Sequence, residues 1–181
     1  GYRLRYNEMA KLIEITNPSV ATNSDNHING MLANIVSSCE AAGASPRHVA
    51  DYVPYICDLN TYHPVKDWIE GAVWDGVERL GLLLDTLVVA PEDAELRNIL
   101  VKRWMLSALA GVYEPNGVST HGVLVLQGAQ GGGKTNWFKN LVPRGSGFAQ
   151  DGVTLDLNNK DAVFQAISVW LIELGEIDST F

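Results

Sequence analysis

A chain of 181 residues, 46% hydrophobic and 19% charged, has the make-up of a folded domain with one good core, or one core plus a small module. It holds no apolar run of about eighteen residues, which excludes a membrane-spanning helix, and its first residues, Gly1 to Tyr6, lack the apolar segment of a signal peptide. The net charge of −8, from 13 basic and 21 acidic residues, excludes a broad nonspecific grip on nucleic acid, which needs a basic face.

Cys39 and Cys57 both fall in apolar periodic stretches and are expected as buried reduced thiols. His27, His48, His63 and His121 are scattered without zinc-ligand spacing. A cytoplasmic protein is the default expectation.

Residues 2–16 read as extended structure, with Leu4 and Tyr6 alternating with Arg3 and Arg5, and Asn7 to Lys11 turning between two strands. A polar loop follows. Ile28, Leu32, Ile35, Val36 and Cys39 recur at helical spacing after a cap at Ser24 or Asp25, and Gly43 is a natural stop. Ser45-Pro46 opens a further helix that must kink or divide at Pro54. His63-Pro64 starts a short helix through Trp68, closed near Gly71. Trp74-Asp75-Gly76 is a turn, Val77 to Leu87 a helix, and Pro91 to Tyr113 a long helix with Leu96, Leu100, Trp104 and Ala108 on one face.

The character of the sequence then changes. Gly122 to Gln127 is a continuous apolar run that suits a parallel strand buried on both faces, Thr135 to Leu141 a helix, Lys160 to Ile167 another, and Val169 to Ile172 a second buried strand. The expected fold class is therefore α/β: a mostly helical domain over residues 1–117 with a short strand pair at its start, then over 118–181 the first part of a parallel-sheet core, which the stretch Gly128-Ala129-Gln130-Gly131-Gly132-Gly133-Lys134-Thr135 marks as that of a P-loop NTPase, incomplete at its C-terminal end.

Between the first expected strand and its helix lies Gly128-Ala129-Gln130-Gly131-Gly132-Gly133-Lys134-Thr135, followed by Asn136. Glycines in such a loop let successive backbone N–H groups converge on phosphate oxygens, and the new helix adds its positive N-terminal end. Lys134 would reach the β- and γ-phosphates and the Thr135 hydroxyl would ligate magnesium, so ATP and magnesium are the expected ligands. Such a site also needs an acid at the end of a neighbouring strand. Glu173 directly follows the run Val169 to Ile172 and is the expected magnesium partner, with Glu176 placed to polarise the attacking water. The usual adjacent Asp-Glu pair is absent, so the division of labour between the two stays open.

These stretches together resemble the virulence-associated protein E family of phage and prophage P-loop ATPases. The carriers are Tyr6-Asn7-Glu8, the stretch Asn60 to Trp68 with its Tyr62-His63-Pro64-Val65 centre, Trp74-Asp75-Gly76-Val77 with Arg79-Leu80, the glycine-rich loop, Asn159-Lys160-Asp161, and Trp170 to Asp178. The resemblance implies a replication ATPase of a mobile element, similar to superfamily 3 helicases, that hydrolyses ATP between the subunits of a ring and moves single-stranded DNA. It implies a primase as a companion. The sensor residue, arginine finger and DNA-contacting loops of such proteins are expected beyond residue 181, so this stretch alone is expected to hydrolyse ATP poorly.

Two other classes compete: a small-molecule kinase, since the loop does not choose the phosphate acceptor, and a noncatalytic nucleotide-binding interaction module. Leu141 to Ser146 reads like a thrombin-recognition loop. His63, Trp68, Trp74, Asp75 and Arg79 are expected to serve packing, and Lys102 and Arg103 to be solvated.

Overall fold

The computed structural model describes residues 1–21, 25–114, 117–119 and 122–175. It is mixed α/β, with helices and two small sheets. The chain forms two compact units, Gly1–Pro64 and Val65–Phe181, and the change of sequence character near residue 117 lies inside the second.

The first unit starts with the expected strand pair. β1 (Arg3–Asn7) runs antiparallel to β2 (Leu12–Thr16), and the turn between them holds Lys11 at φ 55°. Its apolar side needs cover, which α1 (His27–Ala41) and α2 (Val49–Asp58) provide: Ile15, Met31, Val53 and Cys57 form the core, with Leu4, Tyr6 and Ile13 packed around them. α2 begins three residues later than proline at its first position would place it. It also passes through Pro54 as a single helix. Cys57 is buried, whereas Cys39 is only half-buried, which corrects the expectation for that thiol; both are free.

A two-residue strand that the sequence did not announce, β3 (Thr61–Tyr62), pairs parallel to β1 and gives the order β2-β1-β3. It brings Tyr62 over Glu14. The Asn7 amide, itself buried, donates to Glu14 Oε1 at 2.8 Å and to the Tyr62 hydroxyl at 3.3 Å, while its carbonyl accepts the turn N–H groups of Met9 and Ala10. The Tyr62 hydroxyl donates to Glu14 Oε2 at 2.6 Å, and the Arg5 guanidinium lies 3.7 Å from the centre of the Tyr62 ring. Desolvation first, then the Glu14 carboxylate, pushes the Tyr62 phenol up to about 12.

The second unit contains all but the first residue of α3 (Pro64–Glu70), then α4 (Leu80–Asp85), a 3-10 turn at Pro91–Asp93, α5 (Ala94–Tyr113), α6 (Lys134–Lys139), β4 (Ala149–Val153), α7 (Lys160–Ile167) and β5 (Leu171–Leu174). α4 is shorter than the helix expected over Val77 to Leu87. On α5 the buried stripe runs through Val101 and Val112, with Trp104 and Ala108 half-buried beside it. Leu96 and Leu100, expected on that stripe, remain 55% and 48% exposed.

β4 and β5 pair in parallel across α7, a βαβ arrangement, with Ala149 opposite Leu171 and an irregularity before Val153. β5 starts two residues later than the run Val169 to Ile172, at Leu171, whose N–H, like that of Trp170, donates to the Phe148 carbonyl. Residues 122–127, expected as a doubly buried strand, join no ladder among the described residues, and Val123 is 74% exposed. A buried strand needs a hydrogen-bonding neighbour, and none is placed beside this segment among those residues.

Candidate functional site

The loop Gly128–Thr135 needs its glycines for conformational reasons that can be located. Gly131 and Gly133 have φ of 79° and 80°, where a side chain is strained. A Cβ on Gly132 would meet the Ala129 carbonyl at 3.1 Å, a carbonyl that accepts the Gly132 N–H at 3.2 Å. Gly128, Ala129 and Gln130 are exposed, as is Asn136 on the far side of the loop. α6 spans only six residues, so its N-terminal dipole is weak and the loop's own N–H groups must carry any attraction for an anion.

Lys134 is half-buried, and its ammonium folds back across the loop to donate to the Gly128 and Ala129 carbonyls, each at 2.9 Å. The cation is thus held over the loop by neutral acceptors, which a polyphosphate would readily outbid. The neighbouring Thr135 hydroxyl donates to Glu173 Oε1 at 2.7 Å. Glu173 lies within β5 rather than just past its end, in the register that directs its carboxylate at Thr135. Glu176 lies outside the described residues.

Packing around these groups fixes them. Phe138 is buried under α6. The Trp137 indole donates to Thr86 Oγ1 at 2.8 Å, fastening α6 to the end of α4, and the Lys139–Asp151 ion pair at 2.6 Å fastens it to β4. The Lys139 hydrogen bond holds the Asp151 carboxyl below its ordinary range. β5 is anchored by Trp170, whose indole donates to the Ala108 carbonyl at 2.9 Å, and whose ring packs edge-on against Trp68, itself beside Phe148. The Asn159 side chain caps α7 by accepting the N–H groups of Asp161 and Ala162, which accounts for the Asn-Lys-Asp stretch.

The Trp-Asp-Gly turn is a local structure. Asp75 pairs with Arg79 through two hydrogen bonds at 2.5 and 2.7 Å and accepts the Val77 N–H, which holds its carboxyl down at about 2. The Trp74 indole donates to the Val77 carbonyl at 3.4 Å, but the residue is 75% exposed, which corrects the expectation that it serves packing. Lys102 and Arg103 are exposed.

Magnesium favours oxygen ligands and is commonly held by one or two side chains together with substrate phosphates. The Thr135 hydroxyl and Glu173 carboxylate fit that donor set. No group of three or more His, Cys, Asp or Glu suited to a metal occurs among the described residues, and a phosphate-shared magnesium does not require one. No helix in the described residues is long and apolar enough to cross a membrane.

A glycine-rich loop with a lysine and a threonine at its end, facing a carboxylate on a parallel strand, defines a class of candidate anion and cation sites. Comparison with known families makes the assignment specific: residues 69–181 match the virulence-associated protein E-like domain, more than half of the chain, and the chain belongs to that family. The match takes in the Trp-Asp-Gly turn, the loop, Asn159 to Asp161 and the Glu173 strand. Tyr6 to Glu8 and the stretch Asn60 to Trp68 lie outside it. No curated protein matches the chain.

The sequence did not reveal β4, whose Ala-Gln-Asp-Gly-Val composition is poor in strand formers. Nor did it reveal that the Lys134 ammonium donates to the loop's own Gly128 and Ala129 carbonyls.

Proposed function

We propose that the chain binds ATP with magnesium at Gly128–Thr135 and forms the nucleotide-binding part of a P-loop ATPase core. The observation that carries this reading is the 2.7 Å hydrogen bond from Thr135 to Glu173, residues 38 positions apart in sequence. A structural glycine turn has no need to bring its threonine to a strand carboxylate. A magnesium–phosphate site does, because the metal must be held between the loop and an acid that orients its water.

In this reading the backbone N–H groups of residues 128–133 cradle the phosphates, Lys134 offsets their charge, and Thr135 and Glu173 hold magnesium. Asn136 borders the loop. Glu176 polarises the attacking water. Bound magnesium would supply charge neutralisation to the phosphates, and Thr135 and Glu173 would be the residues that hold it.

Family membership supports placing this ATPase in the replication of a phage or prophage, in the host cytoplasm, as a helicase-like motor. With so acidic a chain, single-stranded DNA is engaged by other regions or by an oligomeric ring, in company with replication proteins such as a primase. The test is ATP turnover of the intact natural protein with and without single-stranded DNA. Stimulation by DNA that Lys134→Ala abolishes is the expected result. Turnover equal in wild type and Lys134→Ala would overturn the assignment.

A further inference from the structure

A cavity of about 490 Å³ opens between α6, residues 142–147 and the start of β4, and none of residues 128–135 lines it. Its size falls in the range of small-molecule sites. It takes in most of the Leu141 to Ser146 stretch, which stands out in the sequence but has no part in the nucleotide site.

Three charged side chains line this cavity. Lys139 and Asp151 are engaged with each other at 2.6 Å. Arg144 is exposed, and its guanidinium has no ion pair or hydrogen bond among the described residues. Two cations against one carboxylate leave the cavity at +1, in a chain whose net charge is −8. Residues 142–147 add neutral donors. Gly145 and Gly147 sit at φ 73° and 71°, and their N–H groups meet no acceptor among the described residues. The alternate N–H groups close the turn instead: Ser146 donates to the Pro143 carbonyl, and Phe148 to the Ser146 hydroxyl oxygen, which leaves that O–H free to donate. A Cβ on either glycine would meet nothing within 4 Å, so no packing closes over the turn.

An unpaired guanidinium, two uncommitted backbone N–H groups and a hydroxyl present donors to one small space. A compact oxyanion satisfies them, and the planar Arg fork is suited to phosphate oxygens. A nucleic-acid strand fits less well, because its backbone needs a track of cations and only one here is unpaired. Val142 and Pro143 give the cavity an apolar side.

We propose that this cavity binds the phosphate group of a small phosphate monoester, held by Arg144 and the N–H groups of Gly145 and Gly147, with the organic part against Val142 and Pro143. The site is separate from the nucleotide loop and does not depend on that reading.

The test is an amide-resolved NMR titration of the isotope-labelled 181-residue chain with phenyl phosphate and, separately, with a single-stranded thymidine oligonucleotide. Wild type, Arg144→Gln and Lys134→Ala are compared. Arg144 has no partner to lose, so its substitution leaves the fold intact. Phenyl phosphate is expected to shift the Gly145 and Gly147 amides saturably in wild type and in Lys134→Ala, and to bind about tenfold more weakly to Arg144→Gln, the scale of one charge-assisted hydrogen bond. Shifts confined to residues 128–135 and lost in Lys134→Ala would overturn the proposal, as would equal affinity in Arg144→Gln or no shift at Gly145 and Gly147. Tighter binding of the oligonucleotide at those two amides would also overturn it, in favour of a strand contact.

Discussion

Removing the Thr135–Glu173 hydrogen bond gives a direct measure of how firmly the loop is tied to the strand. Thr135→Val keeps the side-chain shape and deletes the hydroxyl; Glu173→Ala deletes the acceptor. A hydrogen bond to a charged group contributes about 1.5–3 kcal/mol net, and because both side chains are half-buried the lower figure applies, about 1.5 kcal/mol. For a folding unit of this size that corresponds to a fall in melting temperature of about 6 °C. All five tryptophans lie between Trp68 and Trp170, within the second unit, so indole fluorescence follows its unfolding alone. The double variant should lose little more than either single one, with a coupling of about 1–1.5 kcal/mol. Strictly additive losses, with coupling below about 0.3 kcal/mol, would show that the two groups do not interact and would refute the site geometry.

In the first unit, Asn7→Ala removes the buried carbonyl that accepts two turn N–H groups and the amide nitrogen that donates to Glu14 and Tyr62, and should destabilise that unit by about 2–3 kcal/mol, read as lost amide-exchange protection in β1. The raised Tyr62 phenol means that the folded state holds this proton more tightly than the unfolded chain. The stability it contributes is whole below pH 10, declines as the pH rises from 10 to about 12, and this component of the alkaline loss should vanish in Tyr62→Phe. Arg144 is exposed in a turn closed by the Ser146 N–H on the Pro143 carbonyl, so thrombin should cut after Arg144; resistance to prolonged digestion would contradict that exposure.

Local chemistry was the most legible part of the fold. The strand pair at residues 3–16, α1, α3, α5 and α7 follow from apolar spacing, proline starts and glycine stops, which act within a few residues of where they are written. Leu96 and Leu100 show where that reasoning weakens: periodicity places residues on a helix face but does not say which face meets the core. The run 122–127 shows another limit, since an apolar stretch is a strand only when a neighbour pairs with it. β4 could not be read at all, because its pairing with β5 overrides a composition that disfavours strands.

The candidate site was legible to a similar degree. Residues 128–135 and Glu173 were identifiable from type and order, and the structure places Thr135 and Glu173 within hydrogen-bonding distance. The supports that aim them, Trp170 on Ala108 and Trp137 on Thr86, are contacts across 62 and 51 residues that no local pattern encodes. Asn7 and Tyr62 stood out as family-like residues, yet their shared tie to Glu14 depends on β3 pairing with β1.

The central claim is that the loop is a magnesium-dependent nucleotide site, and calorimetric titration of the chain with ATP tests it most directly. The account predicts binding that needs magnesium and is lost in Lys134→Ala. Binding of equal strength in wild type and Lys134→Ala, or none in either, would contradict it.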